Sequence, residues 1–241
     1  MEIWDLYDKN RNLIGKTAER GSKLEKDTYH LVVDLFFLNS KGETLLQLRA
    51  KEKKNHPDMW GCAGGAAVQG EDSLTTCLRE CEEEMGFTPD LSRTRVVSTE
   101  TNRDGCFIRD NYLIYQDMPL EKMTYQPEEV QFAQWILPEK IRENEKMWQD
   151  MCSWSNWDPM YPILCLESMR IRIPKGIYRH YKGNSYRVEG LALHSETLEP
   201  MVIYRALYGT GEMWVRPAKM WNEMVSVNGE MVPRFAWSGE E

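Results

Sequence analysis

Residues 65–87 read GAAVQGEDSLTTCLRECEEEMGF. Leu74, Cys77, Leu78, Cys81 and Met85 recur at i, i+3, i+4, i+7 and i+11, the spacing of a helix with one buried stripe. Asp72 or Ser73 stands where an N-cap belongs, and Gly86 where a left-handed C-terminal residue belongs, so a helix is predicted from about Ser73 to Met85. Glu80, Glu83 and Glu84 fall at i, i+3 and i+4, which gathers three carboxylates on one face. Like charges at that spacing cost a helix about 0.2–0.5 kcal/mol per pair, so the cluster calls for a cation among them. Carboxylate oxygens are hard donors suited to Mg2+ or Mn2+.

Working outward, Tyr29–Leu38 and Glu43–Arg49 flank the turn Asn39-Ser40-Lys41-Gly42 and predict a β-hairpin. A smaller hairpin is expected from IWDLY, DKNRN and LIG at the start. A loop through His56-Pro57-Asp58-Met59-Trp60 leads to Gly61-Cys62-Ala63-Gly64-Gly65. Further strands are predicted at Arg95–Thr101, Asn111–Tyr115 and Gln131–Ile136. Pro138 then opens a helical stretch to about Met151, and a short helix follows near Ile163–Met169. At Ile173-Pro174-Lys175-Gly176 helical periodicity stops. Short strands follow at Ile177–Tyr181, Ser185–His194, Met201–Ala206 and Met213–Val215, so a small all-β domain is expected over 175–236 behind a first domain over 1–170.

The chain has 241 residues, 41% hydrophobic and 28% charged, enough to bury a core in each of two unequal domains. Of its net charge of −8, the stretch from Arg170 onward carries ten Lys/Arg against eight Asp/Glu, so the first 169 residues hold −10. An acidic first domain argues against duplex nucleic acid as a partner, because that binding needs a basic surface. No apolar run reaches the roughly 18 residues of a membrane span, and MEIWDLYDKN lacks a leader pattern; the expectation is a cytoplasmic protein. The six cysteines form no CxxC pair and read as reduced thiols.

The spacing of Gly65, Glu71, Arg79, Glu80, Cys81, Glu83, Glu84, Gly86 and Phe87 resembles the Nudix box, G-x5-E-x7-R-E-U-x-E-E-x-G-U with U apolar, at every position. Outside it, Trp4-Asp5-Leu6-Tyr7-Asp8, Arg20-Gly21, Tyr29-His30 and Leu45-Leu46-Gln47 are similar to the branch that resembles isopentenyl-diphosphate isomerase. The resemblance implies an α/β/α sandwich around a mixed sheet, here followed by a small barrel-like all-β domain. It implies Glu80, Glu83 and Glu84 as metal ligands together with the Gly65 carbonyl. Glu83 or Glu80 would activate water, Arg79 would orient a neighbouring glutamate, and Glu71 would brace the loop. The activity implied is cleavage of the diphosphate linkage of a nucleoside diphosphate derivative or related small metabolite. Glu129, beside Glu128, is the candidate for a further ligand or base, with Asp110 behind it; Arg49 and Lys51 are candidates for holding phosphate. Loops at His56–Trp60, Asn102–Arg109 and Met147–Tyr161 are expected to set selectivity. The oligomeric state stays open, a homodimer included.

Two other readings compete. An isomerase would need a cysteine directly before the box glycine, where this chain has Gly64; Cys62 lies three residues before Gly65, and His30 and His56 read as structural. A non-enzymatic nucleotide sensor, with the tail as relay, sits poorly with an intact box. The tail resembles a small bacterial domain family of unknown function. Its Arg179, His180, His194, Ser195, Glu196 and Arg216 could line a ligand site, although Ser195 between His194 and Glu196 reads as a turn, and Trp214 and Trp221 read as core.

Overall fold

The computed structural model describes residues 2–124, 128–151 and 156–239. The chain divides into two compact units, 1–157 and 158–241.

In the first unit β1 (Ile3–Tyr7) and β2 (Leu13–Glu19) form the expected opening hairpin. Then come β3 (His30–Leu38), β4 (Thr44–Arg49), β5 (Trp60–Gly61) and β6 (Ala63–Ala66), the helix α1 (Ser73–Met85), the strands β7 (Thr94–Asn102), β8 (Phe107–Tyr115) and β9 (Val130–Ile136), and the short helices α2 (Pro138–Glu143) and α3 (Glu145–Gln149). Seven of these strands make one mixed sheet. It runs β5-β4-β3-β8-β7, with β6 added to β3 and β9 to β4.

The expected hairpin of β3 and β4 survives only at its turn. The Asn39 side chain accepts the N–H groups of Lys41 (3.0 Å) and Glu43 (2.9 Å), and only Leu38 pairs with Thr44. β3 is buried along both faces, so it sits centrally, parallel to β8 on one side and antiparallel to β6 on the other. β4 leaves it to pair with β9 from Thr44↔Ile136 to Arg49↔Val130. Alternation along β3 sends Val33, Leu35 and Phe37 into a core with Cys77, Cys81 and Met85 of α1, while Phe36 faces the other way and meets the Trp157 ring at 5.2 Å.

α1 has the predicted limits. Asp72 caps it by accepting the Thr75 N–H at 2.8 Å, worth about 1 kcal/mol, and Gly86 ends it at φ 74°. The predicted stripe is wrong at Leu74, which is 40% exposed; Thr76 and Ser73 are buried instead. Thr76 bonds to the Asp72 carbonyl at 2.8 Å, and Ser73 reaches the Tyr112 hydroxyl at 2.9 Å, so hydrogen bonding lets small polar residues take buried places in the first turn. The helix expected from Pro138 breaks at Asn144, whose side chain caps α3 through the Met147 N–H at 3.1 Å.

The helix α4 (Trp157–Arg172), whose first residue Trp157 still belongs to the first unit, runs on into the second; it starts earlier than predicted and carries Pro162 inside it. Then come β10 (Gly176–His180), β11 (Ser185–Leu193), β12 (Pro200–Ala206), β13 (Met213–Pro217), the single turn α5 (Ala218–Trp221), and β14 (Met224–Val227), β15 (Glu230–Pro233) and β16 (Phe235–Gly239). The main sheet is open, in the order β13-β12-β11-β10-β16, so the barrel-like expectation is corrected: among the described residues its two outer strands do not pair. Its core gathers Met169, Ile173, Tyr178, Val188, Val202, Tyr204, Ala218, Trp221 and Phe235.

No helix among the described residues is long and apolar enough to cross a membrane. Cys62, Cys77, Cys81, Cys106 and Cys165 are free thiols; Cys152 lies outside the described residues. His30 is structural, as read: it is buried, stacked on Trp4 at 3.9 Å, and burial lowers its pKa to about 4. An unfolded His30 binds its proton near pH 6.5, so the unfolded state holds more protons between pH 6.5 and 4 and is favoured as pH falls through that window. His30→Phe, which keeps an aromatic ring against Trp4, is expected to reduce the loss of stability between pH 7.5 and 4.5, read as urea midpoints of both proteins at both pH values.

Candidate active site

The box helix lies against the strand that carries the box glycine. β6 pairs with β3 as Asp34↔Gly64 and Val33↔Gly65, which leaves the backbone of Gly64 and Gly65 facing the third and fourth turns of α1. Gly65 has no Cβ for a direct reason: one placed there would stand 2.0 Å from Glu80 Oε1. A Cβ on Gly64, at φ +148°, would stand 2.2 Å from the Val33 carbonyl oxygen. The glycines therefore let the Glu80 carboxylate lie flush against the strand, and the Gly64 N–H donates to Glu84 at 3.3 Å.

Arg79 organises the rest. Its Nε and Nη2 bond to the two oxygens of Glu71 at 2.8 and 3.1 Å, its Nη1 reaches Glu80 at 2.8 Å and Glu83 at 2.9 Å, and Nη2 also donates to the Ala66 carbonyl at 2.9 Å. Glu71 in turn accepts the Val68 N–H at 3.2 Å and the Thr76 hydroxyl at 3.1 Å. Burial works against the Glu71 carboxylate, yet these bonds hold its pKa below the ordinary value. The loop 66–71 is thus tied to the helix.

The glutamates differ in setting. Glu80 is buried, and burial first, then Glu83, raises its pKa against the pull of Arg79. Glu84 is pushed up to about 8, by burial first and then by Glu80 and Glu129, with the Gly64 N–H and Arg49 acting the other way. The exposed Glu83 is turned to Arg79, so among the described residues no three acidic or metal-binding side chains converge on one point. Of the residues singled out in sequence, Arg79, Glu80, Glu83, Glu84 and Gly65 are neighbours here, while Glu129 and Arg49 are near enough to act on the charge of Glu84.

Glu129 also forms an ion pair with Lys53, a residue that sequence reading passed over inside the run KEKKN. Its backbone carbonyl takes the Ala50 N–H at 2.9 Å, which joins the start of β9 to the end of β4. Glu128 is exposed, and Gln126 and Pro127 before it lie outside the described residues. Asp110 is employed elsewhere: Arg11 and Thr99 bond to it at 2.7 and 2.6 Å, and Ser73 also donates to it. The loop at His56–Trp60 meets the end of α3, where the Trp60 N–H donates to the Asp150 carbonyl at 2.8 Å. The part of Met147–Tyr161 over 152–155 lies outside the described residues. Cys62 is buried beside β6 and Lys51 is exposed.

The donor set fits a divalent cation. Carboxylate oxygens of Glu80 and Glu84 lie against glycine backbone, where Gly65 leaves room for them, and two carboxyls with raised pKa values gain from a nearby positive charge.

Comparison with known proteins agrees with this geometry. Residues 28–157, more than half of the chain, match the NUDIX domain family. The chain belongs to the Nudix family. A Nudix hydrolase of Listeria monocytogenes is 39% identical over 142 residues, spanning 58% of this chain and 83% of that relative. An isopentenyl-diphosphate Delta-isomerase of Serratia proteamaculans is 28% identical over 153 residues, 60% of this chain and 84% of that protein. The crystal structure of DR0079 from Deinococcus radiodurans shares the fold at a TM-score of 0.56 and 18% identity, covering 68% of this chain and 99% of that one. Residues 176–237 match a second family, DUF1653, a protein of unknown function. This Nudix domain is therefore joined to a C-terminal domain of that family.

The two glycines should separate in stability. Gly64→Ala forces a Cβ onto backbone at positive φ and against the Val33 carbonyl, and is expected to cost about 3 kcal/mol. Gly65→Ala meets only the flexible end of Glu80 and should cost far less while breaking the Arg79–Glu80 pair. Urea unfolding of both variants beside the parent checks the order.

Proposed function

We propose that this Nudix protein is a pyrophosphohydrolase that cleaves the diphosphate linkage of a nucleoside diphosphate derivative or related small metabolite with Mg2+ or Mn2+. The observation that carries the reading is the seating of Glu80 and Glu84 against Gly64 and Gly65, with Arg79 holding Glu71, Glu80 and Glu83 in register. Glu80, Glu83, Glu84 and the Gly65 carbonyl would hold the ion. When bound, it would polarise phosphorus and offset charge on the leaving phosphate.

The chain's own groups supply the remainder. Glu83, the exposed glutamate of the set with one oxygen on Arg79, would take a proton from water; Glu80 is the buried alternative. Arg79 is the positioning residue, because a glutamate held by a guanidinium cannot swing away as the diphosphate enters. Arg49, near enough to Glu84 to lower its pKa, would take a phosphate oxygen. Glu129, fixed by Lys53, would serve as a further acidic ligand or base. The isomerase reading gains no support from the site: Gly64, not a cysteine, precedes Gly65, and Cys62 is buried. The sensor reading is disfavoured by the complete and mutually bonded box.

Glu84→Gln is expected to lower turnover by two orders of magnitude or more with an unchanged circular dichroism spectrum, and chelation of divalent metal should abolish turnover in the parent. Release of phosphate or nucleoside monophosphate across a panel of nucleoside diphosphate derivatives measures both. Full activity in EDTA would overturn the reading.

A further inference from the structure

The tail residues singled out in sequence separate into two groups. His194 Nδ1 accepts the Thr197 N–H at 3.2 Å, so His194, Ser195 and Glu196 form a closed turn, and strand alternation sends Arg179 to the face opposite Tyr178 and His180. His180 and Arg216, from β10 and β13, instead meet over one ring. The His180 ring lies 4.8 Å from that of Phe235, and the Arg216 guanidinium carbon lies 5.7 Å from the same centroid. Phe235 is fixed from below by Trp221, stacked at 3.8 Å and 3°.

The charge around this ring is unbalanced. Burial first, then Arg216, Lys182 and Arg234, lowers the pKa of His180, and only Arg234 has a carboxylate of its own, Glu223 at 2.7 Å. Among the described residues Arg216 and Lys182 have no ion-pair partner, and Arg216 Nε is buried without an acceptor. Nε itself is closed to a ligand, but an anion on the outer nitrogens of the guanidinium would balance the charge that Arg216 and Lys182 carry without a carboxylate. His180 Nδ1 accepts the Lys182 N–H at 3.3 Å, which leaves Nε2–H of the neutral ring as a donor.

Aromatic surface flanks the cations. Tyr208 is 49% exposed, with its hydroxyl 2.9 Å from that of Tyr186, whose ring faces both His180 and Phe235. Trp214 is 56% exposed, two residues before Arg216 on the same face of β13. This corrects the expectation that it is core; Trp221 is core as expected. We propose that the C-terminal unit binds a nucleoside monophosphate, with its phosphate held by Arg216, His180 and Lys182 and its base against the exposed rings of Tyr208 and Trp214. Two unpaired cations match one phosphate monoester, whereas a polynucleotide would need a longer basic track. The inference does not depend on the hydrolase site.

Calorimetric titration of the full chain with AMP, adenosine and inorganic phosphate, in the absence of divalent metal, tests it. AMP is expected to bind more tightly than either fragment, and to raise the pH at which the His180 imidazole titrates in the NMR spectrum. Arg216→Gln should weaken AMP about tenfold or more. Lys182→Gln, in the exposed turn after β10, serves as the second variant if Arg216→Gln fails to fold. Absence of AMP binding, equal binding of AMP and adenosine, or AMP binding unchanged in the folded variants would overturn the proposal. So would a single-stranded oligonucleotide that binds more tightly than AMP with the same dependence on Arg216, which would assign the surface to nucleic acid.

Discussion

One guanidinium holds the box together. All five N–H donors of Arg79 are used, two on Glu71, one each on Glu80 and Glu83 through Nη1, and one on the Ala66 carbonyl. A lysine ammonium has three donors from a single point and could not span these partners. The consequence is geometric before it is electrostatic: the loop from Ala66 to Glu71, the helix and the strand of Gly65 become one rigid piece. The arrangement is also short of positive charge, since one guanidinium faces three carboxylates with Glu84 beyond them. A bound cation would offset that shortage.

Much of this was legible in the sequence because helical spacing is local. The positions of Glu80, Glu83 and Glu84 on one face follow from 3.6 residues per turn, and the limits of α1 from Asp72 and Gly86. Pairing across the sheet was not legible to the same degree. The turn at Asn39 looks like a hairpin turn and is one, but whether β3 continues alongside β4 depends on Gly64, Gly65 and the distant Phe107–Tyr115 stretch competing for the same strand. With β6 along one edge of β3 and β8 along the other, β4 has no edge left to pair with beyond the turn. Lys53 and Glu129, 76 residues apart, meet only because β4 pairs with β9.

The second unit shows a different gap. Asn228-Gly229, both at positive φ between β14 and β15, is a strong hairpin signal that sequence reading passed over. β16 had no such signal, because its place is set by its partner β10 at the other end of the unit. Likewise Arg216 and His180 lie 36 positions apart and are joined through Phe235, a residue whose chemistry alone gave no reason to connect them.

The pairing of β10 with β16 has an architectural meaning. The first and last strands of the C-terminal sheet are neighbours, with Ile177 opposite Gly239 and His180 opposite Phe235, so the chain enters and leaves that sheet at one place. A sheet whose two ends lie side by side can be joined to another chain at either end, or set within a loop, without spreading its points of attachment. Such a sheet is portable, and its ligand chemistry would travel with it.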